Sequence, residues 1–96
     1  MKPLTPKEIT DKLNSIEGWK VVNNQLTQSF KFKDFIETLS TMNKIGEVAE
    51  SMNHHPEWFN VYNRLDIRLN THDAGGITNL DFELAAAINA IVSESN

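Results

Sequence analysis

The sequence predicts an α+β fold: one four-stranded antiparallel sheet with three helices packed on one face, in the order α-β-β-α-β-β-α. Three observations carry this. Two pairs of short strand-like runs occur, the first joined by the tight-turn signal Asn23-Asn24, and such hairpins favour antiparallel pairing. Three segments with apolar residues at three- and four-residue spacing flank and separate those pairs. Each of the three opens on a side chain suited to capping a helix, and amphipathic helices of this kind need a sheet face to cover.

The elements follow in order. Thr5-Pro6-Lys7-Glu8 offers a hydroxyl cap, proline at the first helical position and a glutamate three residues after the cap. Ile9, Leu13 and Ile16 then recur at helical spacing and Gly18 is a suitable stop, so a first helix is expected over 5–16. Strands are expected over 19–22 and 25–32 around Asn23-Asn24, a pair that tolerates left-handed turn backbone. In the second strand Leu26, Phe30 and Phe32 share one face while Thr27, Ser29 and Lys31 share the other. Asp34 and Glu37 open the second helix, and Phe35, Leu39, Met42, Ile45, Ala49 and Met52 form its apolar stripe. Pro56 forces an end near Asn53. Strands over 58–62 and 64–70 follow; in the latter Leu65, Ile67 and Leu69 alternate with charged or polar residues. After the break at 71–76, with its Gly75-Gly76 pair, Thr78 caps a last helix lined by Leu80, Leu84, Ile88 and Ile91, ending about residue 93.

Composition sets the outer limits. Ninety-six residues suffice for one unit, read as a single domain over 1–96, and a chain of this size buries about 65% of its unfolded surface. With 40% hydrophobic and 23% charged residues the chain is globular in character. The absence of cysteine excludes disulfides and thiolate metal sites, and a net charge of −4 supplies no basic footprint for nucleic acid. The longest apolar run, Leu84 to Ile88, is too short to span a bilayer, and the amino terminus lacks the apolar core of a secretion signal. The expectation is a cytoplasmic protein. Sheet edges in so short a chain must be managed, which points towards a dimer.

All three histidines, His54, His55 and His72, fall at two breaks in regular structure. If the last two strands pair, both breaks lie near one end of the sheet, where a rigid scaffold can carry a site on its loops. Structural duties compete with functional ones here: His54 and His55 suit the negative end of a helix dipole, Asp81 suits a capping box with Thr78, and Trp58 suits the core. Two chemistries are open to the cluster. A three-histidine zinc site is disfavoured because adjacent histidines project apart and no His-x-x-x-His pair is present. Metal-free acid–base catalysis suits it better, since imidazoles titrate near neutrality and can act as acid and base within one turnover. No serine or cysteine nucleophile constellation is evident, which favours proton transfer or elimination over acyl transfer.

The spacing carries more. Glu50 is followed after three residues by His54-His55-Pro56, after five more by Tyr62, after nine by His72 and after eight by Asp81. This resembles the signature of the pterin-4a-carbinolamine dehydratases, as does the segment Asn70-Thr71-His72-Asp73-Ala74-Gly75-Gly76-Ile77-Thr78, with isoleucine where leucine is more usual. The resemblance implies a dehydratase that eliminates water from 4a-hydroxytetrahydropterin to give quinonoid dihydropterin, supporting pterin recycling, with no cofactor and no metal. It implies catalytic roles for His54 and His72 as acid and base in either order. His55 would mainly orient substrate, with a share in proton transfer. Glu50 and Asp81 would orient or tune the imidazoles, while Asn53, Pro56, Trp58, Thr71 and Asp73 complete the substrate-binding set. It further implies a homodimer or homotetramer acting on a small-molecule pterin. Its alternatives are a dimerisation cofactor for a transcription factor, or action on another pterin such as one in molybdenum cofactor metabolism.

Overall fold

The computed structural model describes residues 1–95. Its elements run α1 (Pro6–Leu13), β1 (Lys20–Val22), β2 (Gln25–Lys31), α2 (Phe35–Ser51), β3 (Glu57–Val61), β4 (Arg64–Leu69), a 3-10 turn (His72–Ala74) and α3 (Asn79–Ser95). The element order is the one the periodicities predict. The sheet is antiparallel throughout, in the order β1-β2-β4-β3. The last strand in sequence is therefore central, gripped by β2 on one side and β3 on the other.

The first helix is shorter than expected. Thr5 forms a full capping box, its hydroxyl accepting from Glu8 N–H and the Glu8 carboxylate accepting from Thr5 N–H. At the other end Ser15 N–H and Ile16 N–H reach back only three residues, to Lys12 and Leu13 carbonyls, which tightens and closes the helix at Leu13. Ile16 and Trp19 then enter the core from outside regular structure. Gly18 makes the bend with φ 87°, and a Cβ there would lie 2.2 Å from the Gln28 side-chain oxygen.

Both hairpin turns use left-handed backbone. Asn23 and Asn24, at φ 51° and 61°, give the twist that a two-residue hairpin requires. At the second turn Tyr62 has φ 49°, so it lies beyond the strand it was expected to end. Phe32 likewise falls outside β2, although it is buried; its N–H donates to Asn63 carbonyl instead of to a ladder partner.

Register decides the faces. Leu26 opposite Leu69, Gln28 opposite Ile67, Phe30 opposite Leu65 and Trp58 opposite Ile67 stand on one side of the sheet. Over them pack Ile45 and Ala49 of α2 and Leu84, Ala85 and Ile88 of α3, with Ile9 and Leu13 of α1 at the margin. The other face mixes charged pairs with exposed Val22, Phe59 and Val61: Ser29 donates to Asp66, and Arg64–Asp66 and Arg68–Glu57 pair at 3.5 Å each.

The buried row of α2 differs from the expected stripe. It runs Thr38, Thr41, Ile45, Ala49, while Phe35 and Leu39 are about two-fifths exposed, at 42% and 41%. The threonines enter the core because their hydroxyls donate to Asp34 and Glu37 carbonyls one turn back, at 2.8 and 2.9 Å, leaving only methyl groups to pack. In α3 the row likewise shifts, with Phe82, Leu84, Ala85 and Ile88 buried and Leu80 and Ile91 only partly so.

Candidate active site

The carboxyl end of α2 sets the first imidazole. Met52 closes the helix, Asn53 turns left-handed at φ 51°, and two backbone bonds follow: Asn53 N–H to Glu50 carbonyl and His54 N–H to Ala49 carbonyl, both 3.0 Å. This paired closure fixes the residue after the left-handed one against the helix that precedes it. His54 is thereby buried, at 8% exposure.

The second contribution comes from the start of α3. Thr78 caps it, accepting from Leu80 N–H at 3.2 Å, while Asp81 accepts from Thr78 N–H at 2.9 Å. Asp81 is fully buried, and its other oxygen lies 2.6 Å from His54 Nε2. The capping and histidine-tuning readings of Asp81 are thus compatible, one for each oxygen. An ionised carboxylate can only accept, so the pair places a proton on His54 Nε2, and in the neutral ring Nδ1 then carries the free lone pair. Nδ1 has no partner among the described residues, and no buried side-chain nitrogen or oxygen there is left unsatisfied, so Nδ1 reaches open space.

The third contribution is the loop after β4. Thr71 N–H bonds Gly76 carbonyl at 2.9 Å, and Thr71 carbonyl receives Ala74 and Gly75 N–H, winding the chain into the 3-10 turn that carries His72. Gly75, at φ 73°, ends that turn. His72 is exposed and its ring has no hydrogen-bond partner among the described residues. His55 Nε2 lies 2.7 Å from Glu50, but the two side chains are 58% and 81% exposed, so water screens the pair.

These segments enclose a cavity of about 230 Å³ lined by Asn53, His54, His55, Asn70, Thr71, His72 and Asp73. Six of the residues singled out from the sequence meet there. Four do not line it. Asp81 lies behind His54, and Pro56 lines none of the cavities described here. Glu50 and Trp58 line a neighbouring open groove of about 720 Å³ with Leu39, Met42, Asn43, Gly46 and Glu47. Thr71 does line the cavity, yet it is buried and its hydroxyl donates to Asp81 at 2.9 Å. Sequence reasoning missed Asn70 as a lining residue, and it read Thr78 only as a cap. The adjacency of Asn70 to Thr71 was the available signal for the first; only the packing of the β4 loop against α3 reveals the second.

A larger cavity of about 360 Å³ lies on the open sheet face, lined by Glu57, Phe59, Arg64, Asp66 and Arg68 among others. It holds no histidine, and its arginines are paired to carboxylates. All three histidines line the smaller cavity. Among the described residues, no set of three or more His, Asp or Glu side chains is arranged to hold a metal ion, and no helix is long and apolar enough to cross a membrane.

Comparison with known proteins bears on this geometry. The family profile described as Pterin 4 alpha carbinolamine dehydratase matches residues 2–91. A protein of Solibacter usitatus named "Putative pterin-4-alpha-carbinolamine dehydratase" is 52% identical over 90 residues, covering 94% of this chain and 95% of its own. A protein of the same name from Sulfurisphaera tokodaii is 46% identical over 93 residues, covering 97% of this chain and all of its own, 100%. The crystal structure of a transcriptional coactivator/pterin dehydratase from Brucella melitensis superposes with a TM-score of 0.91 at 43% identity, over 94% of this chain and 98% of that one. A profile that runs from residue 2 to residue 91, and relatives of about half identity that match nearly end to end, lead to one conclusion: the chain belongs to the pterin-4-alpha-carbinolamine dehydratase family.

Proposed function

We propose that the protein eliminates water from 4a-hydroxytetrahydropterin, giving quinonoid dihydropterin by histidine acid–base catalysis. The observation that carries this reading is the meeting of His54, His55 and His72 on one cavity, with His54 backed by the buried Asp81. In the reaction the C4a–O bond breaks, a proton leaves the adjacent ring nitrogen, a C=N bond forms and water departs. Hydroxide leaves poorly, so one group must protonate it while another takes the nitrogen proton.

The geometry supports a division of labour. His54, with its Nε2 proton held by Asp81, offers the Nδ1 lone pair as base, and the carboxylate stabilises the imidazolium that results. His72, free at both ring nitrogens, serves as the acid. His55 orients the pterin with Asn53 and Asp73 around it. Pro56 fixes the chain's exit from the histidine pair, and Trp58 and Glu50 border the adjoining groove.

The test is to generate the 4a-carbinolamine with a purified hydroxylase and follow its decay by absorbance. Wild-type protein should accelerate the decay, and His54→Ala or His72→Ala, each folded, should lose about 10²–10⁴-fold of that acceleration. No acceleration by folded wild type sinks the reading. Substrates differing in the pterin side chain then resolve which pterin is preferred.

A binding role has its own support. Phe35, Ile36 and Leu39 of α2 are exposed apolar residues, at 42%, 71% and 41%. We propose that they serve assembly, as a homodimer or homotetramer, in preference to docking a transcription factor. Light scattering on purified protein decides it: a monomer at micromolar concentration overturns the assembly, and a stoichiometric helical partner on co-purification favours the scaffold.

A further inference from the structure

We infer that Thr71 and Thr78 are positioning residues, which hold the Asp81 carboxylate in the orientation that sets the tautomer of His54; the inference deepens the proposed proton transfer and rests on it for its catalytic consequence. The bonds form one directed chain. Leu80 N–H can only donate, and it donates to Thr78 Oγ1 at 3.2 Å. The two threonine hydroxyls meet at 2.7 Å, and Thr71 Oγ1 lies 2.9 Å from Asp81 Oδ2. With Asp81 as acceptor, Thr71 must spend its single proton there, so Thr78 must donate to Thr71. Asp81 Oδ2 thus receives Thr71 O–H and Thr78 N–H, and Oδ1 is left for His54 Nε2–H.

Burial makes the chain hard to replace. Thr71, Thr78 and Asp81 are 7%, 3% and 0% exposed, so solvent does not readily supply a lost donor. Capping alone does not explain Thr71. The helix needs only the Thr78 hydroxyl and the Asp81 carboxylate, whereas Thr71 comes from the loop after β4. The backbone of Thr71 is held independently of its side chain by the bonds to Ala74, Gly75 and Gly76. Its hydroxyl is therefore free of any duty in the loop's own fold, and its described partners are Thr78 and Asp81.

Two measurements test this. In the wild type, ¹⁵N resonances of the His54 ring should show Nε2 protonated and Nδ1 unprotonated at neutral pH; the opposite tautomer overturns the inference without any variant. Thr71→Val keeps the shape and removes the hydroxyl. It should mix the His54 tautomers, displace the acid limb of the pH–rate profile, and lower kcat by about 10–100-fold with KM within about threefold. Thr71→Ser should restore all of these. A folded Thr71→Val with unchanged ring resonances and pH profile means a structural role only, and overturns the inference. If ring resonances move in Thr71→Val while wild type shows no dehydratase activity, positioning stands and the proposed reaction falls. An active wild type with unmoved resonances gives the reverse.

Discussion

Asp81 and Glu50 are both carboxylates beside a histidine, yet they should respond differently to neutralisation. Asp81 is buried and its two oxygens have separate partners, so Asp81→Asn puts an amide against Nε2 and disturbs both the tautomer and the cap. We expect kcat to fall about 10²–10⁴-fold in the carbinolamine decay assay. Glu50→Gln removes a solvent-screened contact and should change kcat less than about tenfold in the same assay. Asn53 gives a third contrast, because its left-handed φ of 51° lets Asn53→Gly keep the turn while Asn53→Val strains it. The valine variant should lose about 1–2 kcal/mol in denaturant unfolding and move the site's histidine with it. At this scale the three histidines, falling at two breaks in regular structure, announced the cluster. What spacing could not express was orientation. Asn53 and Thr71 were both expected to line a pterin pocket; both border the histidine cavity, but Asn53 also turns the chain there and the Thr71 hydroxyl faces Asp81.

Helix ends account for most of what the sequence disclosed about elements. Capping residues were placed correctly for all three helices because a cap is a local bargain among four residues. Asp34→Ala should cost about 1 kcal/mol, read from chemical unfolding, since Asp34 accepts from Glu37 N–H at the start of α2. The box on α1 has a pH signature. Glu8 is held below its ordinary value, first by the Thr5 backbone N–H and then by the Thr5 side chain. Its contribution is therefore full above the ordinary glutamate range and is lost as pH falls through the lowered value. Melting temperatures measured down an acid series should show this component in wild type and lack it in Glu8→Gln. The apolar rows were less legible. Threonine reads as polar in any hydrophobicity pattern, so the rotation of α2 that buries Thr38 and Thr41 depends on hydroxyl bonds that no periodicity encodes.

For the whole molecule, the placement of β4 between β2 and β3 buries Leu65, Ile67 and Leu69 in the core. Ile67 stands opposite both Gln28 and Trp58 and is 1% exposed. Ile67→Ala should cost about 2–5 kcal/mol, a large share of the total stability of a domain this size, and thermal unfolding will show it. Pairing of β3 with β4 was foreseeable because the two runs follow one another almost without a break; pairing of β4 with β2 was not, since a long helix intervenes and only packing chooses the neighbour. The β3–β4 pairing, by setting the start of β3 beside the end of β4, explains why the two chain breaks with their histidines share a cavity while Trp58, on the edge strand, lines the groove alongside. The doubly used carboxylate has a consequence for inheritance. Because Asp81 both begins α3 and seats the ring of His54, a lineage relieved of the need for histidine chemistry could not discard the residue cheaply. It would first have to find another way to begin its last helix.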